Sequence, residues 1–228
     1  MTVPTSDRQL ALMLDHPPRL GAEDFLVGPA NAAAHALVLG WPGWTGTAAL
    51  VSGPEGSGKT HLATIWSSLA GAPLIDGAAL STPVLEQLAP GGGAAVDGAE
   101  RADERALFHL VNLAQERRIH LLLTSREAPS SLWPRIPDLA SRLRAMQQAR
   151  LGPPDEATLR AVLVKLFDDR QLVVETSVVE YLTRRLDRSI GVARLVVEAL
   201  DREALARGRR VTRALAAQIL ERHGNVEP

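Results

Sequence analysis

Gly53-Pro54-Glu55-Gly56-Ser57-Gly58-Lys59-Thr60 fits the pattern G-x-x-x-x-G-K-[ST] at every position. Each part of it has a chemical use. Glycines let successive backbone N–H groups turn inward around an anion, and a helix starting where the loop ends adds the positive end of its dipole. Lys59 is placed to reach the β- and γ-phosphates of a nucleotide, and the Thr60 hydroxyl to ligate Mg²⁺. The bland alternative is a glycine-rich turn that matches by chance. The flanks argue against it, because Ala48–Ser52 reads as a strand and Thr60–Leu69 as a helix, the setting the motif requires.

A second acidic group is expected at the end of a neighbouring strand. Ala94-Ala95-Val96-Asp97 is the best candidate, with Asp97 holding Mg²⁺ through water; a turn aspartate is the other reading. Position 98 is glycine, where a hydrolysing ATPase of this kind usually carries Asp or Glu to orient water. Glu100 could stand in from two residues on, but the grounds for intrinsic hydrolysis are weak. Ile119–Leu123 is an apolar run apart from His120, as in a strand buried on both faces. It leads into Thr124-Ser125-Arg126, whose hydroxyls either approach a γ-phosphate or simply cap the strand. Arg142, after a proline-rich loop, and Arg194, in a helical stretch, read on composition alone as solvated charges.

Several elements must hold these residues in place. Residues 1–21 carry Pro4, Pro17, Pro18 and Gly21 around one short apolar patch and read as an arm. From 22 to 152, short apolar runs alternate with helix-like stretches, the pattern of a parallel α/β sheet. Strands are expected at Ala48–Ser52, Pro73–Asp76, Ala94–Asp97, Ile119–Ser125 and Ala149–Leu151, with helices at Ala30–Leu39, Thr60–Leu69, Arg105–Arg117 and Pro137–Arg142. Beyond Gly152-Pro153-Pro154 the pattern changes. Asp155–Arg170, Thr176–Asp187, Ile190–Arg207 and Thr212–Arg222 show i, i+3, i+4 apolar spacing with no strand between them, so 153–228 is expected to be a small all-helical lid.

Composition narrows the function classes. The 228 residues hold 25 Lys+Arg against 26 Asp+Glu, a net charge of -1, which speaks against coating nucleic acid by bulk charge. With no cysteine there is no disulfide framework, thiolate zinc or cysteine nucleophile. The six histidines show no HxxxH or HxH spacing, so a zinc site is not expected. No apolar run reaches the ~18 residues of a membrane span, and the N-terminus lacks a basic signal-peptide region. A soluble, cytoplasmic protein with no membrane partner is expected.

In this order and spacing the motifs resemble an AAA+ ATPase of the DnaA branch, over about 22–222. Asp24-Phe25-Leu26-Val27-Gly28-Pro29-Ala30-Asn31 is similar to that family's F-x-x-G-x-x-N segment, which implies that Phe25, Leu26 and Val27 pack on adenine. Gly58-Lys59-Thr60-His61-Leu62 is similar to its phosphate-loop exit and adds His61 to the nucleotide set. Leu107-Phe108-His109-Leu110-Val111-Asn112 resembles the helix after its second acidic motif, and Thr124–Pro129 resembles sensor 1, implying a nucleotide role for Ser125. Leu139-Ala140-Ser141-Arg142-Leu143 resembles the box whose arginine acts as a finger toward a neighbouring subunit's nucleotide. Ile190-Gly191-Val192-Ala193-Arg194-Leu195 falls where the family has sensor 2. The resemblance thus implies a five-stranded AAA+ core with a helical lid, and ADP or ATP with Mg²⁺ as ligands.

Two departures bear on function. The sequence ends at Pro228, without the helix-turn-helix DNA-binding domain of an initiator, so sequence-specific DNA binding is not expected. At the other end, Gln9-Leu10-Ala11-Leu12-Met13-Leu14 resembles the peptide by which partners dock on the replicative sliding clamp, the β subunit of DNA polymerase III, through Gln9, Leu10, Leu12, Met13 and Leu14. An apolar turn folded onto the core, or an edge strand, are the plain readings of the same residues. Together these features resemble a short regulatory member of the family, one that works with DNA-loaded clamp to promote hydrolysis of ATP bound to the initiator DnaA and so represses re-initiation. The competing expectation is a DnaA-like ATPase or loader that cycles its own ATP, alone or as a homo-oligomer.

Overall fold

A computed structural model describes residues 19–130 and 132–223. Five strands, β1 (Ala48–Ser52), β2 (Leu74–Asp76), β3 (Gly93–Asp97), β4 (His120–Ser125) and β5 (Gln147–Arg150), form one parallel sheet in the order β2-β3-β4-β1-β5. Helix α1 (Ala32–Leu39) precedes the sheet, and α2 (Lys59–Ala70), α3 (Thr82–Glu86), α4 (Glu104–Arg117) and α5 (Pro137–Ala145) run between its strands. Parallel pairing needs such crossovers, and they cover both faces of the sheet.

The alternation of side chains along the strands sorts the core. Leu121 and Leu123 of β4, with Leu50 of β1, pack on the side of α4 and α5, among Leu107, Leu110, Leu139 and Leu143. Leu122, with Ala49 and Val51, packs on the other side among Leu37, Val38, Leu62, Ile65 and Trp66 of α1 and α2. Leu121, Leu122 and Leu123 are all fully buried, so the strand reads as a continuous apolar run.

After Leu151, α6 (Glu156–Asp169), α7 (Thr176–Arg185), α8 (Ile190–Arg207) and α9 (Arg213–His223) build a separate core that includes Leu163, Phe167, Leu182, Val197 and Leu200. Asp155 caps α6 by accepting from the Thr158 amide at 2.7 Å, and Ser189 caps α8 by accepting from the Val192 amide. Leu26 packs against this helical core, tying the segment before α1 to it.

The expected elements differ from the observed ones mainly at their ends. β5 begins at Gln147, earlier than the expected Ala149. It is an edge strand paired only with β1, and the exposed Gln147 and Gln148 carry no apolar signal. The five-residue α3 has no counterpart among the expected elements; it buries only Leu85.

Candidate functional site

Residues 53–58 connect β1 to α2 at the C-terminal edge of the sheet, where ligands of open α/β folds bind. Gly56 (φ +67°) and Gly58 (φ +102°) take left-handed conformations that suit glycine. Gly58 caps α2 without any side-chain cap, so the first amides of that helix point out of the loop as donors for an anion. Lys59 Nζ arches back to donate to the carbonyls of Gly53 and Pro54, both at 2.8 Å. Burial lowers the Lys59 pKa, while the carboxylates of Glu100, Asp97 and Glu55 work against that.

Three elements converge beside the loop. Thr60 Oγ1, on the first turn of α2, donates to Asp97 Oδ2 at 2.8 Å. Thr124 Oγ1 donates to Asp97 Oδ1 at 2.6 Å and accepts from the Gly98 amide at 2.9 Å. The topology explains the meeting, since β4 lies between β3 and β1. Its register pairs Val96 with Leu123, so the following residues, Asp97 and Thr124, fall side by side. Gly98 itself has φ +73°, a conformation that costs about 1 kcal/mol for a residue with a side chain, which fits glycine at this position. Arg126 pairs with Glu55 of the loop at 2.9 Å and lies 3.7 Å from Glu100.

The segment before α1 supplies an apolar wall. Phe25 is buried, stacked on His35 with ring centroids 5.4 Å apart and edge-on to His61 at 5.1 Å. Asn31 staples this segment, its Nδ2 donating to the Leu26 carbonyl at 2.9 Å and its Oδ1 accepting from the Gly28 amide at 2.8 Å. Phe25 and Leu26 line a cleft of about 360 Å³ with Gly58, His61, Ile190 and Arg194, whereas Val27 is half exposed. Burial lowers the His61 pKa, and its Nε2 lies 2.8 Å from the Gly21 carbonyl, so the neutral ring carries its proton on Nε2. Lys165 of α6 bridges Asp24 at 2.6 Å and Asp169 at 3.0 Å on the same wall.

The helical part closes the cleft. The Gly56 carbonyl accepts from the amides of Ile190, at 3.0 Å, and Gly191, at 3.2 Å, so the start of α8 sits on the phosphate loop. Arg194, one turn further along, lines the cleft. Burial, and then the nearby Arg170, lower its pKa.

Buried side-chain polar atoms without partners are rare and ask for an explanation. Among the described residues they are Ser57 Oγ, Glu100 Oε2 and Arg194 Nε, plus the indoles of Trp66 and Trp133. The first three belong to the phosphate loop, the turn after β3 and the cleft wall. These residues fit a nucleotide with a divalent cation. Loop amides, Lys59 and Arg194 suit the phosphates, Thr60 and Asp97 the cation, and Phe25 and Leu26 the base. Among the described residues there is no cluster of three or more His, Asp or Glu able to hold a metal by itself. A cation at Thr60 and Asp97 would complete its shell with phosphate oxygens and water.

The remaining expected residues lie elsewhere. Ser125 Oγ donates to the Glu127 carbonyl at 2.6 Å, while its neighbour Thr124 is the one that meets Asp97. Arg142 is exposed on α5, donating to Gln115 Oε1 at 2.8 Å with its guanidinium 5.7 Å from the Phe108 ring centroid. Gln9, Leu10, Leu12, Met13 and Leu14 lie outside the described residues. Sequence reasoning did not single out Lys165, Asp24 or Gly191. Lys165 lies in no motif, Asp24 and Gly191 only accompany the residues singled out in theirs, and the packing of α6 and α8 on the cleft brings the three to it.

No family model matches the chain. The chromosomal replication initiator protein DnaA of Thermomicrobium roseum is 27% identical to it, covering 89% of this chain and 50% of that protein. The chain therefore spans about half the length of that curated relative. Domain III of the replication initiation protein DnaA from Thermotoga maritima has a similar structure, with a TM-score of 0.79 and 20% identity over 90% of this chain and 97% of that one. AMPPCP-bound DnaA from Aquifex aeolicus matches with a TM-score of 0.68 and 17% identity, over 83% of this chain and 67% of that one. The chain thus shares the fold of DnaA domain III, a five-stranded parallel sheet with a C-terminal helical part. Among the described residues no helix is long and apolar enough to cross a membrane.

Proposed function

We propose that the chain is a cytoplasmic, nucleotide-binding AAA+ regulator of the Hda type. Residues 22–152 form its nucleotide core and 153–228 its lid. In this reading ADP or ATP with Mg²⁺ occupies the cleft. Residues 9–14 of the N-terminal arm dock on the DNA-loaded sliding clamp, and Arg142 completes the active site of a neighbouring initiator DnaA. Hydrolysis of the initiator's ATP then switches initiation off. The observation that carries the proposal is the state of Arg142: exposed, yet fixed against Phe108 and Gln115 of α4. A guanidinium ordered at the surface before any partner arrives suits a finger supplied in trans, a contribution worth ~10³-fold or more in other NTPases. The glycine at 98 agrees with a protein whose own turnover is secondary.

The test is hydrolysis of DnaA-bound ATP, with and without clamp loaded on DNA, by the wild type and Arg142→Ala. Stimulation that needs clamp and is lost in the variant supports the reading. Stimulation undiminished in the variant would remove Arg142 from it. The second reading, an ATPase that cycles its own nucleotide, is favoured by Glu100, whose Oε2 is buried without a partner close to Lys59. Substantial hydrolysis by the chain alone, lost in Glu100→Gln, would select it.

A further inference from the structure

The helical part carries a second feature that the nucleotide cleft does not use. Arg184 and Arg185 end α7 and Arg213 begins α9. Tyr181 lies between them, its ring centroid 5.7 Å from the Arg185 guanidinium carbon and 5.0 Å from that of Arg213. The three arginines line a hollow of about 230 Å³ together with Ser177, Glu180 and Tyr181. Glu180, the one acid there, is 3.7 Å from Arg160. Among the described residues none of Arg184, Arg185, Arg209, Arg210 and Arg213 has a carboxylate partner. Residues 184–188 and 209–213 hold Arg184, Arg185, Arg188, Arg209, Arg210 and Arg213 against the single acid Asp187, in a chain whose net charge is -1. In the hollow itself three arginines stand against the one acid Glu180, and Arg209 and Arg210 lie in the turn that leads into α9, while Arg188 acts on Asp155 at the start of α6.

We propose that this face binds the sugar-phosphate backbone of duplex DNA without reading its sequence. Guanidiniums present planar donors that match phosphate oxygens, and stacking on one tyrosine ring fixes two of them in advance. Arginines without a carboxylate partner on the end of α7, the start of α9 and the turn that leads into α9 suit a partner with repeating charge. Duplex DNA offers one charge per ~1.7 Å of its axis at any register, whereas an acidic protein would need a carboxylate placed for each arginine. The inference goes beyond the regulatory reading and does not depend on it, because it can be tested with this protein and DNA alone.

The experiment is fluorescence anisotropy of a short labelled duplex of arbitrary sequence, titrated with wild type, Arg185→Gln/Arg213→Gln, and a charge-matched control, Arg105→Gln/Arg202→Gln. The wild type should bind with a log–log salt slope of about -3 if three phosphates are contacted, and the patch variant should flatten it by about 2. The control should behave as wild type, and nucleotide-induced melting shifts should be the same in all three. Should the patch variant melt early, protection of Arg185 and Arg213 from phenylglyoxal by duplex DNA in the wild type serves instead. Lack of saturable duplex binding at about 50 mM salt, equal weakening in the control, or binding of polyglutamate but not of duplex would overturn the proposal.

Discussion

The carbonyl of Gly56 accepts a hydrogen bond from the amide of Gly191 at 3.2 Å, and a Cβ on Gly191 would lie 3.0 Å from the Gly56 Cα. Phosphate loop and helical part are thus in backbone contact at a point where a methyl group fits only if the loop backbone gives way slightly. The start of α8, with Arg194 one turn further on, is thereby held against the loop.

Gly191→Ala tests this contact. Alanine favours the helix by roughly 1 kcal/mol, but here the neighbour is backbone and cannot turn aside. Overpacking of about 1–3 kcal/mol should win, lowering the denaturation midpoint and weakening nucleotide binding together. A variant as stable as wild type, or more so, would mean that α8 moves off the loop at little cost.

Thr124→Val removes a hydroxyl of nearly the same shape from a fully buried position. The Gly98 amide loses its acceptor, and Asp97 loses the donor that fixes its Oδ1. A buried donor left unpaired costs about 1–3 kcal/mol, which urea denaturation would register. Nucleotide binding should lose much of its dependence on Mg²⁺, and Thr124→Ser should restore it. Unchanged Mg²⁺ dependence in the valine variant would show that Thr124 does not position Asp97.

His61 gives the protein a pH response. Burial lowers its pKa below the ordinary histidine value of about 6.5. The unfolded chain therefore takes up the proton first as pH falls. The stability contributed by the neutral ring is complete above that value and is lost as pH falls through the folded-state pKa. Melting temperature should drop as pH falls from 7 through and below the ordinary histidine value, and His61→Gln, which keeps a donor for the Gly21 carbonyl, should lessen the drop. Identical pH profiles would assign the response to other groups.

What the sequence revealed and what it hid follow one physical division. The phosphate loop and β4 were legible because their chemistry is local: glycines and a lysine at fixed spacing, and an apolar run buried on both faces. The choice between Thr124 and Ser125 was not, because it depends on which side of β4 faces the end of β3, and register decides that. The partners of Arg142 were hidden for the same reason, since Phe108 and Gln115 come from another helix. The polar start of β5 gave no signal because an edge strand can be held by its backbone alone.

The nucleotide itself is the most direct test. Mg²⁺ with ADP or ATP should be titrated into wild type and Lys59→Ala by calorimetry, with melting recorded in parallel. A ligand at 100 times its Kd stabilises the folded state by about 2.7 kcal/mol, so the wild type should give saturable heat and a clear upward shift in melting. Lys59→Ala, without the ammonium at the loop, should fold and show neither. Wild-type protein that gives no heat and no shift with either nucleotide well above micromolar concentration would contradict the account at its centre.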